Sequence, residues 1–426
     1  MKILSEGSAL QPVQPGRRIE ALDILRGWAI FGVLLVDIGY GPRETWMVSD
    51  QFVAQFLLHF ADSKFWTLLS FLFGLGFSLQ LIRAEGRGAG FIASYSRRLF
   101  ALLLIAIAQI LLLMWGGHFL IIYAVMGFLL LALRTIPSRI LLPAAVTLML
   151  IPSAYEAGID LIREGRLGSP QTRLEVLQGD AERNARRTAV RREGRQAAQQ
   201  GYLYRVTRSA KGLYRGYILH VYESFSGWLI NPPFGFVKWL TPFGLFLVGL
   251  YVGRRRILQD IPAHLPLIRR ILIWGLVPGL AVAAIRYLAH YPDLSNQSLT
   301  TRHLVRMLGI FSDPALAFAY ASALVLLAQR QIWQKLFAPL AAAGRMALTN
   351  YLLIALLAGV FAPAYGFGVW KQVGPTLSAM LAVAIYAALM LLSTWWLRHF
   401  RYGPAEWLWR TLTYSKLQPL RLQVTN

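Results

Sequence analysis

Two polar residues in the first apolar stretch of the chain have side chains that could do chemistry. Arg26 lies near the start of this stretch and Asp37 near its end, with mostly apolar residues between them. Eleven residues separate the two, which corresponds to three helical turns and a rise of about 16 Å, so both side chains lie on one helix face. Ionisable groups inside an apolar helix are costly unless they are paired or face water. The spacing therefore predicts a polar stripe along a cavity. The alternative for Asp37 is a carboxylate that simply ends a helix.

His118 is a second residue with a reactive side chain. It follows Gly116 and Gly117 in a short turn between two apolar stretches, at the depth expected for Asp37. A carboxylate that bonds one imidazole nitrogen fixes the tautomer and strengthens the other nitrogen as a base. We therefore predict His118 and Asp37 as a catalytic pair that activates a sugar or lipid hydroxyl toward a thioester. The alternative is an interfacial histidine without a catalytic task.

Cationic and aromatic side chains cluster near the C-terminus. Arginine side chains can hold the phosphates of a nucleotide-like donor through charge-assisted hydrogen bonds, and Trp407 or Trp409 could stack on its base. The alternative is an interfacial belt, because Trp, Tyr and Arg are common where a protein meets the membrane surface. The residues predicted to bind the donor are Arg26, Arg345, Asn350, Arg401, Trp407 and Arg410.

The elements that must position these residues are strongly apolar. The chain has 426 residues, of which 56% are hydrophobic and 15% charged, and a mean hydropathy of +0.48. Soluble domains are roughly 45–50% apolar and about 25% charged, so a soluble fold of this size is excluded. The chain has no cysteine, which excludes disulfides, thiolate metal sites and cysteine nucleophiles. We expect no metal cofactor. The net charge of +23 is interpreted as arginine facing anionic lipid rather than nucleic acid.

Ten apolar stretches approach the roughly 20 residues that a membrane-spanning helix needs. The predicted spans are residues 24–42, 65–83, 99–116, 118–134, 140–158, 235–252, 271–289, 307–327, 346–366 and 377–397. Every second loop between them is rich in arginine, and such loops stay in the cytoplasm. We therefore predict an all-α, polytopic bundle of about ten spans with both termini in the cytoplasm.

A polar segment divides the apolar chain into three parts. Residues 159–216 are rich in Arg, Gln and Glu, with a spacing that suits an amphipathic helix on a membrane surface or over the mouth of the bundle. A solvated helical hairpin without chemistry is the alternative. The predicted parts are thus an N-terminal transmembrane half (1–158), this basic insertion (159–216) and a C-terminal transmembrane half with an interfacial tail (217–426).

Five short motifs, taken together, resemble the YeiB family of bacterial membrane proteins. They extend from the first span to the C-terminal tail, and the insertion is not part of the likeness. The motifs are Leu22-Asp23-Ile24-Leu25-Arg26-Gly27, Leu72-Phe73-Gly74-Leu75-Gly76-Phe77, Tyr123-Ala124, Gly344-Arg345-Met346-Ala347-Leu348-Thr349-Asn350-Tyr351 and Gly403-Pro404-Ala405-Glu406-Trp407-Leu408-Trp409-Arg410.

The resemblance implies an activity. The YeiB family is grouped with heparan-α-glucosaminide N-acetyltransferase and, more distantly, with O-antigen acetylases, which deliver an acyl group from cytoplasmic acetyl-CoA to a carbohydrate on the far side. O-antigen acetylases carry an Arg-X10-His motif in the first span. Arg26 matches its arginine, whereas Asp37 occupies the histidine position, and His118 stands where relatives are expected to have Asp. These paired departures suggest a site rebuilt around His118 as base and Asp37 as its orienter.

Two functions from different classes therefore remain open. The first is an acyltransferase in the bacterial plasma membrane, with an acyl-CoA donor and a glycan, lipid or small-molecule acceptor. The second is a transporter or flippase for a lipid or a small anionic solute, which buried charges at several depths would also serve. Membrane lipids are the expected partners in either case, and a homodimer is compatible with both.

Overall fold

The computed structural model describes residues 19–38, 40, 46–85, 91–113, 119–166, 237–290, 299–361 and 373–422. Throughout these residues the fold is helical, and strand pairing is limited to one isolated bridge between Phe400 and Arg421. The expected all-α class is thus confirmed. The helices are α1 (Glu20–Asp37), α2 (Val48–Phe60), α3 (Lys64–Glu85), α4 (Phe91–Leu113), α5 (Phe119–Ala132), α6 (Ser138–Arg166), α7 (Leu240–Arg254), α8 (Ile261–His290), α9 (Leu299–Leu327), α10 (Gln331–Arg345), α11 (Ala347–Phe361), α12 (Pro375–His399) and α13 (Pro404–Tyr414).

Six described segments are long and apolar enough to cross a membrane, which indicates a multi-pass membrane protein. The number rises to seven if α10 and α11, which meet at a bend of 74°, form one broken span. The six segments coincide with six of the ten predicted spans. They are Val48–Ala84, Phe91–Leu112, Ser138–Ile159, Ile261–Leu288, Met307–Leu327 and Pro375–His399. The four other predicted spans correspond to α1, α5, α7 and α11.

Three helices were not predicted as elements, namely α2, α10 and α13. Each carries too many polar residues to stand out as an apolar stretch: α10 begins with Gln331, Gln334 and Lys335, and α13 contains Glu406 and Arg410. Their apolar faces pack on neighbouring helices instead, as Leu340 of α10 does within the core. The predicted insertion at 159–216 lies largely outside the described residues, because the description of α6 ends at Arg166 and resumes at residue 237.

The first helix packs with its backbone directly against α10. A methyl group at Gly27 would collide with the carbonyl group of Leu340, and one at Gly344 would collide with the carbonyl group of Asp23. Only glycine permits such an approach between two helices. The hydroxyl group of Tyr386 on α12 also donates a hydrogen bond to the Gly27 carbonyl. These contacts fix α1, and with it Arg26 and Asp37, relative to the C-terminal helices.

Helix α13 closes one end of the bundle. It packs against α4 and α11, and the indole N–H of Trp409 donates to the Arg98 carbonyl at 2.9 Å. The chain that follows α13 returns beside the end of α12, where the Arg401 N–H donates to the Leu420 carbonyl at 2.9 Å. The C-terminal helix is therefore held between the first and second halves of the chain.

Candidate functional site

The arginine of the first helix faces α3. Arg26 forms an ion pair with Asp23, one helical turn away, with 3.2 Å between Nη1 and Oδ1. Its other terminal nitrogen lies 3.8 Å from the position that a Cβ would take at Gly76 on α3. Because glycine has no side chain, the space beside this guanidinium stays open, and an anion could approach it there.

Arg98 of α4 lies near Arg26, and Arg410 of α13 lies near Arg98. The guanidinium carbon of Arg98 lies 3.8 Å from the centre of the Trp409 ring, and that of Arg410 lies 4.6 Å from the Tyr402 ring. Arg98 interacts electrostatically with both Arg410 and Arg26. We call Arg26, Arg98 and Arg410 the arginine cluster.

The arginine cluster carries more positive than negative charge. Asp23 forms an ion pair with Arg26, and within the described residues no ion pair joins a carboxylate to Arg98 or Arg410. Like charges in a poorly solvated place repel one another unless an anion balances them. Guanidinium groups bind phosphate through paired, charge-assisted hydrogen bonds. The chemistry of the arginine cluster is therefore suited to a polyanion.

A second group of polar side chains meets inside the bundle. The amide nitrogen of Gln109 on α4 donates to the hydroxyl group of Tyr351 on α11 at 3.3 Å, and Tyr351 interacts electrostatically with Asp37. The hydroxyl groups of Tyr123 on α5 and Ser70 on α3 lie 2.9 Å apart. We call these five residues the polar cluster.

Two members of the polar cluster, Ser70 and Gln109, are buried, and the hydrogen-bonding capacity of Gln109 is not fully used. Gln109 is 3% exposed, and its Oε1 atom has no hydrogen-bond partner among the described residues. Buried polar atoms are nearly always bonded, so an unmatched acceptor in an apolar bundle indicates a place for a ligand or water. Gln109 and Asp37 both interact with Tyr351, so this region is suited to a group that donates hydrogen bonds.

On two helices, the same spacing along the chain separates a member of the arginine cluster from a member of the polar cluster. Arg26 and Asp37 are eleven residues apart on α1, and Arg98 and Gln109 are eleven residues apart on α4. Each interval corresponds to a rise of about 16 Å with nearly unchanged direction of the side chain. The two arginines interact with each other, and the two polar residues both interact with Tyr351. Polar residues thus occur at two matching levels of α1 and α4, and we call this arrangement the polar column.

Of the predicted catalytic pair, Asp37 and His118, the structure describes only Asp37. Asp37 is half-buried at the end of α1, whereas His118 lies outside the described residues. Phe119, the next residue, stacks on Trp66 with 3.5 Å between ring centres. Ser70 and Tyr123 lie one helical turn from these two rings. The pairing of His118 with Asp37 stays a prediction.

The predicted donor-binding residues occupy different places. Arg26 and Arg410 are brought together in the arginine cluster. Arg345 is exposed at the end of α10, and Arg401 is half-buried where the final chain segment returns. Trp407 donates its indole N–H to the Gln418 carbonyl at 2.7 Å, which ties down that same segment. No described contact brings Arg345, Arg401 or Trp407 to the arginine cluster, and their contact with a donor stays a prediction.

Asn350 is bonded entirely within the protein by its described contacts. It is fully buried, and its amide nitrogen donates to the Ala343 carbonyl and to the Ser393 hydroxyl group, both at 3.0 Å. These bonds join α10 to α11 across their bend and attach both to α12. They give Asn350 a structural task, and its predicted contact with a donor remains untested.

Glu406 performs a role that the sequence did not indicate. Its carboxylate accepts hydrogen bonds from the backbone N–H groups of Leu348 at 2.6 Å and Thr349 at 3.1 Å, and from the Thr349 hydroxyl group at 2.5 Å. It therefore caps the first turn of α11, where backbone N–H groups have no partner within the helix. The loss of solvent on burial outweighs these bonds and raises the pKa of Glu406 above its usual 4.5.

The comparisons with known proteins agree with the motifs. A family model described as "Protein of unknown function (DUF418)" matches residues 252–416. "Uncharacterized protein YxaH" from Bacillus subtilis (strain 168) is 31% identical over 97% of this chain and 98% of its own length. "Uncharacterized protein YeiB" from Escherichia coli (strain K12) is 28% identical over 93% of this chain and 97% of its own length. The chain belongs to the YeiB family. No solved structure matches it.

In this YeiB-family protein, three of the five motifs meet at one junction. Gly27 of the first motif lies against α10, Gly344 lies against the Asp23 carbonyl, and Glu406 caps the turn that contains Thr349. Arg98 and Gln109 were not predicted as site residues, because neither belongs to a motif. The signal that could have found them is the eleven-residue interval, which α4 shares with α1.

Proposed function

We propose that this YeiB-family protein is an integral-membrane acyltransferase. It takes an acyl group from acetyl-CoA or another acyl-CoA on the cytoplasmic side and transfers it to a hydroxyl or amine group of a carbohydrate, lipid or small molecule near the outer face. The observation that carries the proposal is the polar column. On both α1 and α4 an arginine of the arginine cluster is followed eleven residues later by a member of the polar cluster.

The arginine cluster matches the charged end of the donor. Coenzyme A carries three phosphate groups at one end and its thioester at the other, joined by the linear pantetheine arm. Arg26, Arg98 and Arg410 would bind the phosphates, while the arm would extend along the sides of α1 and α4 that carry Asp37 and Gln109. The thioester would then lie near Asp37, Tyr351 and Gln109, about 16 Å further into the bundle.

The polar cluster would position the acceptor. The oxygen or nitrogen of the acceptor forms a bond to the acyl carbon, the carbon–sulfur bond breaks, and coenzyme A leaves as the thiol. The acceptor's proton passes to a base, which we assign to His118 oriented by Asp37. The Gln109 Oε1 atom would accept a hydrogen bond from the acceptor and hold it against the thioester.

The proposal fixes the orientation of the protein. A cytoplasmic donor requires the Arg26 end of α1 to face the cytoplasm, which agrees with cytoplasmic termini and basic inner loops. We propose ten spans in the bacterial plasma membrane, in which α1, α5, α7 and the α10–α11 pair cross together with the six longer segments. The shorter helices would cross where neighbours shield their ends from lipid.

Binding of coenzyme A tests the proposal directly. Purified protein in detergent should be thermally stabilised by CoA and much less by pantetheine, which lacks the phosphates. Removal of one charge-assisted contact costs about 1.5–3 kcal/mol, so Arg410→Gln should weaken CoA binding roughly tenfold to a hundredfold. Arg270→Gln is the matched control, because Arg270 is exposed on α8. No stabilisation by millimolar CoA would refute the donor site.

Transport is the second candidate function, and the bend between α10 and α11 favours it. Interrupted helices form substrate sites in transporters, where the positive end of a half-helix holds an anion. Here that end of α11 is already occupied by the Glu406 carboxylate. Transport therefore requires a substrate site elsewhere, and uptake of a lipid or anion by proteoliposomes without any CoA effect would support it.

A further inference from the structure

Aromatic side chains hold two members of the arginine cluster. The guanidinium carbon of Arg98 lies 3.8 Å from the centre of the Trp409 ring, and the indole N–H of Trp409 donates to the Arg98 carbonyl at 2.9 Å. The guanidinium carbon of Arg410 lies 4.6 Å from the centre of the Tyr402 ring. Trp409 thus contacts Arg98 through both the side chain and the backbone, and each of the two arginines is paired with a ring.

These rings counteract the repulsion within the arginine cluster. The charge of Arg98 interacts unfavourably with those of Arg26 and Arg410, so the guanidinium groups would move apart if nothing held them. The face of an aromatic ring attracts a cation, most strongly in the case of tryptophan. Trp409 can therefore hold Arg98 close to the other two arginines before any anion is bound.

The position of Trp409 is fixed by contacts on either side of it. Its helix, α13, packs against α4, the helix of Arg98. The Thr413 hydroxyl group donates to the Trp409 carbonyl at 2.7 Å, and Arg97 on α4 donates to the hydroxyl group of Ser415, just after α13, at 3.4 Å. Trp409 therefore reaches Arg98 from a helix that is attached to α4 at a second point.

Contact with a ring leaves the hydrogen-bond donors of an arginine available. A guanidinium is planar, and its five N–H groups point outward in that plane, whereas a ring covers its face. Within the ranges that the structure describes, neither Arg98 nor Arg410 donates a hydrogen bond from its guanidinium to a protein group. Both can therefore form paired, charge-assisted bonds to phosphate oxygens while they remain on their rings.

The same contacts change the interpretation of the two tryptophans that were considered for a nucleotide base. The face of Trp409 that Arg98 covers cannot also hold a base. Trp407 donates its N–H to the Gln418 carbonyl, and no described contact brings it to the arginine cluster. The aromatic residue in direct contact with the cluster on α13 thus supports a cation instead of binding a base.

We propose that Trp409 is a positioning residue of the donor site, and that this site recognises the diphosphate of its ligand without reading the base. Trp409 holds Arg98 in place, and the N–H groups of Arg98 and Arg410 bind the phosphates. The ligand class is accordingly any molecule with an accessible diphosphate, of which coenzyme A is one. This inference rests on the proposed function, because it concerns the same donor site.

Inorganic pyrophosphate is the decisive probe, because it carries the phosphates and has no base. Its affinity is measured on full-length, detergent-purified protein from the rise in melting temperature with pyrophosphate concentration, without divalent cations. Trp409→Leu should weaken the binding of pyrophosphate and of CoA alike, by about twofold to thirtyfold, as expected for a lost cation–π contact. Trp409→Phe keeps a ring and should restore most of the affinity.

Trp395→Leu is the matched control, because Trp395 is exposed on α12; it should bind both ligands as the wild type does. If Trp409→Leu weakens CoA but leaves pyrophosphate unchanged, Trp409 binds the base and the proposal is overturned. A lower melting temperature of the ligand-free variant with unchanged affinities would also overturn it, since the role of the ring would then be structural only.

The second measurement uses the wild type alone and does not depend on the folding of any variant. ADP and GDP share the diphosphate and differ in the base, so they should bind within about twofold of each other; a larger preference for either overturns recognition without the base. Stabilisation by pyrophosphate but not by CoA would refute the acyl-CoA donor and leave this diphosphate site standing. Stabilisation by CoA but not by pyrophosphate would do the reverse, and no effect of any of these ligands would overturn both.

Discussion

The substitution Glu406→Ala should destabilise the junction between α11 and α13. The glutamate accepts hydrogen bonds from two backbone N–H groups, those of Leu348 and Thr349, and no other group of α11 can replace it at the first turn of that helix. Each donor left unsatisfied on burial costs about 1–3 kcal/mol. We therefore expect a loss of about 2–6 kcal/mol in the free energy of unfolding from these two groups.

Glu406→Gln is the matched control, because the amide keeps an acceptor oxygen and removes only the charge. Burial raises the pKa of Glu406, which means that the folded protein favours the neutral form. The folded protein then binds a proton at a pH where the unfolded chain does not, so stability rises as the pH falls through the folded pKa and levels off below 4.5, the usual pKa of glutamate. Glu406→Gln should remove this rise and cost little near neutral pH.

The measurement is the temperature at which detergent-purified protein loses its monodisperse form, followed from neutral pH to pH 5. A change of 1 kcal/mol shifts the melting temperature by about 2–4 °C in domains of 150–250 residues, and by less in a longer chain. Glu406→Ala should therefore melt several degrees lower, and Glu406→Gln close to the wild type. The reasoning fails if the two variants melt alike, or if the wild type loses stability as the pH falls through this range.

Three further predictions concern contacts that hold the bundle together. Gly27→Ala should abolish stable folding, as measured by a thermal melt, because the added methyl group would collide with the Leu340 carbonyl. Gly76→Ala should be tolerated, because its methyl group meets no backbone atom. Asp313→Leu should cost about 3–5 kcal/mol by leaving Lys64, its ion-pair partner, buried without a carboxylate, and the double variant with Lys64→Met should melt higher than the single one. Thr349→Val should cost about 1–2 kcal/mol, because the Ala405 N–H loses its acceptor; an unchanged melting temperature would contradict this.

The sequence predicted the helical class and six of the membrane segments, because an apolar stretch of about 20 residues is typical of a membrane-spanning helix. It could not predict the bend between α10 and α11, since the break at Met346 depends on contacts made by distant residues. Asn350 bonds Ser393 across the bend, and Glu406 caps the helix that follows it. Such partners are separated by more than 40 residues in the chain, and no local pattern links them.

The candidate site was predicted on one helix and missed on the other. The interval from Arg26 to Asp37 was recognised as a polar stripe because two charges stand out in an apolar stretch. The equal interval from Arg98 to Gln109 went unrecognised, because Arg98 was counted as part of a basic loop and Gln109 carries no charge. The structure adds the packing of α4 against α13 and α11, which brings Arg98 towards Arg410 and joins Gln109 to Tyr351.

The family motifs and the polar column have different physical roles. Gly27, Gly344 and Glu406 bring four helices together at the junction, α1 with α10 and α11 with α13, so they are required by the fold whatever the protein binds. Arg98 and Gln109 contribute charge and hydrogen bonding to the polar column, and they also contact Trp409 of α13 and Tyr351 of α11. If the proposed function holds, a chain with the same motifs shares this junction, whereas its ligand depends on the side chains that α4 contributes to the column. Exchange of those side chains should therefore change what is bound, and the melting temperature of each variant shows how much of the change comes from lost contacts with α11 and α13.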